Sequence, residues 1–343
     1  MTSNLNIYGL NFISDFLKNE KKSGLTTALM NEFSVSRPTA TKFISQLIES
    51  NFLEKTGKQN RPLYQLGTNR KIYRSYKIDG IDDESTIYLR DFKGYLQLPK
   101  NIQDIFEIGF TEMINNAIDH SCGSRIEIAV GLIDGVLMVR VSDDGIGVFK
   151  KIQDALNLPS PELSIIELTK VKLKTGGKGH SGIGIFITSK MFDAFEIDAN
   201  NLTFMHIDNK PDVLKDMSVE SGTNVYMLIH TESSRTANEV YEKYFTSDSP
   251  ESDAEFNITN IPVRIAYMGN NMVSSRSQGK RLVTRLQEFK TVYLDFEGID
   301  LIGQAFADEV FRVFYNLHPE VEIIPINCSD SVHRMISLAK SMR

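Results

Sequence analysis

Four short motifs, in a fixed order between Glu112 and Thr223, constrain this chain more than any other feature. The first is E-x-x-x-N-A-x-x-H, from Glu112 through Asn116 to His120. It lies in 102–121, where Ile102, Phe106, Phe110, Met113 and Ala117 recur at helical spacing and predict an amphipathic helix. Glu112, Asn116, Asp119 and His120 then share an adjacent arc, because steps of four, seven and eight residues return to one side of a helix. An amide oxygen suits a hard cation, and a carboxylate can take a proton from water. A solvated polar face would have the same pattern. The second motif, Asp143-Asp144-Gly145-Ile146-Gly147, closes a predicted hairpin in which Ile126, Ile128 and Val130, then Leu137, Val139 and Val141, alternate around Asp134-Gly135. Gly145 and Gly147 let the backbone turn and approach a ligand, and Asp143 can accept a hydrogen bond from an exocyclic amine. An ordinary acidic turn would have this composition too. The stretch 148–181, with Lys170, Lys172, Lys174 and Lys178, reads as a lid carrying cations for phosphates. The third motif, Gly179-His180-Ser181-Gly182-Ile183-Gly184, opens a helix over 185–192 and offers free N–H groups to an anion. The fourth, Gly222-Thr223, starts an apolar strand over 224–229.

In this order the motifs closely resemble the GHKL ATPase family and its Bergerat nucleotide-binding fold, over about residues 95–230. That family includes gyrase-type topoisomerases, mismatch-repair ATPases, sensor histidine kinases and anti-sigma-factor serine kinases. The resemblance implies ATP and Mg2+ as ligands. It implies Asn116 as the magnesium-binding asparagine and Glu112 as the general base of the ATPase and serine-kinase branches. It implies Asp143 as the adenine-binding carboxylate, with Gly145 and Gly147 shaping its loop and Thr223 close to the base. Gly182 and Gly184 match the second glycine box around the phosphates. His120 matches a position near the phosphates, where a structural role at the helix end is an equal alternative, and Lys178 is a candidate for a further phosphate contact.

The charge is uneven. Residues 1–78 contain 12 Lys and Arg against 5 Asp and Glu, a net +7, so that a chain of net −6 carries −13 elsewhere. Such asymmetry points either to a nucleic-acid partner or to a basic unit docked on its own acidic domains. The basic unit reads as three helices, over 5–19, 25–33 and from Ser36 to about Ser50, then short strands at 52–55 and 63–66. Ser36 is a suitable N-cap, and Pro38 is tolerated only in a first helical turn. The order resembles winged helix-turn-helix regulators. In that geometry Arg37, Thr39, Thr41 and Lys42 start the recognition helix and reach base edges of double-stranded DNA, while Lys58 and Arg61 in the wing lie near phosphates.

After a polar stretch at 246–255, strands at 261–266, 292–296 and 322–326 alternate with helices at 275–289, 303–315 and 331–342, a small α/β layer. The sequence L-D-F-E-G-I-D-L-I-G-Q-A-F-A-D-E resembles the STAS-like domains that often follow GHKL modules. In anti-sigma systems such a domain carries a phosphoacceptor serine, but no Ser or Thr lies between Gly303 and Val313. Ser275, Arg276 and Gln278 remain as interaction positions, or as a simple helix cap.

The expected fold is thus an α+β multi-domain chain: a winged helix over 1–78, a Bergerat α/β sandwich over 79–245 and a small α/β STAS-like domain over 256–343. The expected function is a slow Mg-dependent ATPase whose nucleotide state controls a DNA-binding head. The alternatives are a serine/threonine kinase of the anti-sigma-factor type acting on a separate partner, and a nucleotide-sensing scaffold without turnover. A protein partner through the STAS-like domain and homodimerisation follow by analogy only. No histidine precedes the nucleotide segment, which disfavours a sensor histidine kinase. Two cysteines cannot build a disulfide framework or a four-cysteine zinc site. No secretory leader pattern and no apolar run of about 18 residues is expected to address a membrane, so the location expected is cytoplasmic.

Overall fold

The computed structural model describes residues 2–18, 23–58, 61–81, 83–169, 183–210, 212–216, 221–244, 258–264 and 273–342. The chain begins with α1 (Thr2–Lys18), α2 (Leu25–Phe33) and α3 (Arg37–Glu49), followed by the hairpin β1 (Leu53–Lys58) and β2 (Arg61–Leu66). Ser36 caps α3, its Oγ accepting the Thr39 N–H at 3.4 Å, and Pro38 sits in the first turn. Leu5, Ile13, Leu25, Leu29, Phe43, Ile44 and Leu47 form a core separate from the rest of the molecule. The hairpin is longer than expected: Lys58 and Arg61 are paired strand residues rather than members of a loop.

Strand β3 (Arg70–Lys77) belongs by sequence to the basic unit, yet it pairs antiparallel with β4 (Arg125–Ile133) as the edge of a seven-stranded sheet. The expected boundary at 78 therefore falls on the far side of a sheet strand. The exposed edge of β3 is covered by Asn11 of α1. Its Nδ2 donates to the Tyr73 carbonyl at 2.5 Å, and its Oδ1 accepts the Tyr73 N–H at 3.1 Å. One side-chain amide thus imitates a neighbouring strand and blunts an edge that would otherwise invite pairing. Asp15 adds a hydrogen bond from Tyr95 and an ion pair with Arg74 at 3.7 Å.

The sheet order is β3-β4-β5-β9-β6-β7-β8, every neighbour antiparallel, with β5 (Val136–Asp143), β6 (Ala194–Ala199), β7 (Leu202–Ile207), β8 (Val213–Asp216) and β9 (Thr223–His230). Period-two alternation places Ile126, Ile128, Leu137, Val139, Val141, Val225 and Met227 in the core. A short helix α4 (Glu84–Ile87), α5 (Lys100–His120) and α8 (Ile183–Met191) lie with them. Helices α5 and α8 approach closely at Gly109, where an added Cβ would stand 2.5 Å from the Phe192 ring.

The stretch 148–181 differs from the expected lid over its first part. Residues 148–169 are α6 (Val148–Leu156) and α7 (Leu163–Thr169), which bury Phe149, Ile152, Leu163, Ile165, Ile166 and Leu168. The apolar periodicity there outweighs the polar residues around it. Lys170, Lys172, Lys174, Lys178 and the glycines through Gly182 lie outside the described residues. Strands β6, β7 and β8 and helix α9 (Ala237–Tyr244) were not foreseen from the sequence.

The C-terminal part is a parallel sheet, β10 (Ile258–Pro262), β11 (Thr291–Asp295) and β12 (Glu322–Ile326), with α10 (Arg276–Val283), α11 (Gln304–Asp308), α12 (Phe314–Leu317) and α13 (Asp330–Ser341). Helix α10 is shorter than the expected 275–289, because Arg285 takes a left-handed φ of 65° and turns the chain. Ser275 and Gln278 form a capping box at its start, the structural alternative of the sequence reading. Among the described residues, no helix is long and apolar enough to cross a membrane.

Candidate functional site

A cleft of about 210 Å³ opens where the C-terminal half of α5 meets the ends of β5 and β9 and the start of α8. Glu112, Asn116, Asp119, His120, Asp143, Gly184 and Thr223 all line it. Helical periodicity supplies the first four from one face of α5, and the antiparallel register pairs Asp143 directly with Thr223.

The acidic loop after β5 is tied on both sides. Ser121 at the end of α5 accepts the Ile146 N–H at 2.9 Å, and the Gly222 N–H donates to Gly145 O at 2.7 Å. Thr223 Oγ1 accepts the Val148 N–H at 3.1 Å, which starts α6 beside the cleft. Asp143 and Asp144 are adjacent in sequence but do different work. Asp144 accepts from the Ser124 N–H at 2.6 Å, its hydroxyl at 2.7 Å and the Arg125 N–H at 2.9 Å, and so pins the turn after α5. The Ser124 hydroxyl and these N–H groups hold its carboxyl below the usual range. Asp143 faces the cleft. Burial pushes its carboxyl above the usual range, although the Gly145 N–H, bonded at 2.8 Å, and Thr223 act in the opposite direction. A half-buried carboxylate in that condition gains from any further donor a ligand brings.

At the other end, the carboxylate of Glu112 lies against α8. A Cβ on Gly184 would stand 2.0 Å from Glu112 Oε2, so only glycine allows this approach. Tyr241 of α9 also lines the cleft, and burial together with the charge of Glu112 raises its hydroxyl pKa. Asn116 is half-buried, and its amide nitrogen has no hydrogen-bond partner among the described residues. Among the described residues, no group of three or more His, Cys, Asp or Glu could hold a metal. A divalent cation here would depend on an amide such as Asn116 together with oxygens of its ligand and water, which suits magnesium.

Tyr241, Lys151 and Asn115 line the cleft without having been singled out from the sequence. Lys151 has a legible signal, one helical turn after the acidic loop. Tyr241 has none, because α9 reaches the cleft only by packing. Gly145 and Gly147 shape the loop beside the cleft, while Lys178 and Gly182 lie outside the described residues. In the basic unit, Arg37, Thr41 and Lys42 are exposed on α3, and Lys58 is exposed at the end of β1. Thr39 is half-buried, with its hydroxyl 2.8 Å from Ser36 Oγ in the cap, and the side chain of Arg61 lies outside the described residues.

Residues 88–205 match the family model of the histidine kinase-like ATPase domain, and residues 278–333 match that of a STAS-like domain of unknown function. No curated protein matches the chain. The chain therefore carries a histidine kinase-like ATPase domain followed by a STAS-like domain. The first match contains Glu112, Asn116, His120, Asp143 and Gly184 and ends within β7, so Thr223 and Tyr241 lie beyond it.

Proposed function

We propose that this protein binds Mg-ATP in the α5–α8 cleft, hydrolyses it slowly, and uses the nucleotide state to control a DNA-binding head. One observation carries the reading of the cleft: a carboxylate, an amide, a half-buried aspartate and a helix-opening glycine converge there within a histidine kinase-like ATPase domain. Asp143 and Thr223 receive the adenine, whose exocyclic amine donates to the raised carboxylate. The N-terminal end of α8 faces the phosphates, and His120 and Lys151 add positive or donor groups nearby. Asn116 would hold magnesium through its side-chain oxygen, and the ion would supply neutralisation of phosphate charge. Glu112, fixed against Gly184, orients and deprotonates the attacking water. Replacing Asn116 with Ala is expected to weaken Mg-ATP binding by at least tenfold in calorimetry. Equal affinity in the variant and wild type would sink this site.

The head reads as a winged helix, with α3 as the recognition helix and the β1–β2 hairpin as the wing. The exposed Arg37, Thr41, Lys42 and Lys58, in a segment of net +7, support double-stranded DNA as the partner. Because Asn11 and Asp15 bond to β3 and its surroundings, the head is attached to the same sheet that ends in the cleft. Fluorescence anisotropy with a duplex of about 30 base pairs tests this. Affinity should fall steeply between 50 and 200 mM salt, by about tenfold or more if several phosphates are contacted, and should differ with and without Mg-ATP. Absent or salt-insensitive binding would reject the DNA-binding head.

A further inference from the structure

We propose that the STAS-like domain sets the nucleotide affinity of the cleft, by backing the two helices that form its walls. The inference rests on the reading of the cleft as a nucleotide site and adds a regulator to it.

The first wall is α6, which presents Val148, Lys151 and Ile152 to the cleft. Behind it stands α7, joined to α6 by a buried hydrogen bond from Ser164 Oγ to Phe149 O at 2.7 Å. Helix α7 packs in turn on β10 of the C-terminal part. Its Glu167 is 3% exposed and accepts a hydrogen bond from Arg285 Nη1 at 3.2 Å. Arg285 comes from the turn after α10, where it holds a left-handed φ of 65°, an uncommon conformation for a residue with a side chain. Glu288 binds the same guanidinium through two contacts of 2.9 Å. A carboxylate buried in the ATPase domain thus pairs with a cation from its neighbour, and removing that cation takes away a charged partner across the boundary.

The second wall is α8. Its N-terminal half brings Gly184, Ile185 and Ile187 to the cleft, and its last turn carries Lys190 into a seam with the C-terminal part. There the Lys190 Nζ lies 3.2 Å from His206 Nδ1, and His206 also meets Asp212. Burial alone would push the Asp212 carboxyl up, but Lys190, His206 and Arg264 together hold it below the usual range. Leu168 of α7, Phe186 and Ser189 of α8 and Asn260 of β10 close the seam. The Asn260 side-chain oxygen is buried there without a hydrogen-bond partner among the described residues.

A helix that touches the ligand at one end and the neighbouring domain at the other links the two equilibria, and the linkage must be reciprocal. Two measurements on the full chain with a Mg-bound non-hydrolysable ATP analogue test it. Arg285→Ala should bind the analogue about fivefold more weakly or worse, with Arg285→Lys in between. In the wild type, saturating analogue should slow amide hydrogen exchange in 258–262 and 291–295, and Arg285→Ala should lose that slowing. Affinity within twofold of wild type, or unchanged exchange in the wild type, overturns the inference and leaves the nucleotide site standing. The exchange measurement decides the matter even if Arg285→Ala fails to fold. A wild-type protein that does not bind the analogue overturns the nucleotide reading, and this inference with it.

Discussion

Replacing Glu112 with Gln should cut ATP turnover by about 10²–10⁴-fold, the usual contribution of a positioned general base, while Mg-ATP binding changes little. The expected separation of rate from affinity follows from where Glu112 sits. Its carboxylate stands against Gly184 at the start of α8, at the opposite end of the cleft from Asp143 and Thr223. Binding of the base should therefore not depend on it. Glutamine keeps the size of the side chain and removes its capacity to take a proton. The measurement is phosphate release under single-turnover conditions, alongside calorimetric affinity. Turnover left unchanged by the substitution would identify a different base, and no phosphate release even from the wild type would identify a nucleotide-sensing scaffold. A wild-type protein that labels a partner protein from radiolabelled ATP and releases no free phosphate would instead favour the kinase reading.

The largest effect on stability is expected at Gly145. A Cβ there would lie 2.0 Å from the Ser121 carbonyl oxygen and 2.6 Å from its carbonyl carbon. Both are backbone atoms, so no side chain can move aside to make room. Relief requires separating the acidic loop from the end of α5, which breaks the Ile146–Ser121 hydrogen bond and strains the Gly222–Gly145 one. Overpacking costs about 1–3 kcal/mol, and a buried group left unpaired adds about 1–3 kcal/mol. Gly145→Ala should therefore lose about 3 kcal/mol or more, which lowers the Tm of a domain this size by about 6–12 °C. Gly80→Ala is the control. Nothing lies within 4 Å of the methyl it would add, so it should stay within about 0.5 kcal/mol of wild type. Equal melting of the two variants would refute this account of the loop.

Much of the cleft could be read before any coordinates, because its parts are local. Glu112, Asn116 and His120 share a helix face by 3.6-residue periodicity alone. Asp134-Gly135 turns a hairpin, with both residues at positive φ, and so brings Asp143 back beside that helix. The basic unit was legible for the same reason, from helical spacing and the Ser36 cap. Misreadings arose where a strong local cue masked a weaker one. Lysines and glycines drew 148–181 into one lid, although Phe149, Ile152, Ile165 and Ile166 already carried the spacing of α6 and α7.

By itself, then, the sequence determined which residue types could meet: the helix face, the acidic loop, the glycine at the start of α8 and the sign of the charge on the head. Chain periodicity and turn chemistry act over a few residues, so they can be read in order. Only the tertiary structure decided that Asp144 pins a turn while Asp143 faces the cleft, that the basic strand β3 joins the large sheet, that Tyr241 stands beside Glu112, and that Arg285 reaches a buried Glu167 far from it in the chain. Each of these depends on which surfaces pack together, a choice made by burial and hydrogen bonding across the whole molecule rather than by the residues nearby.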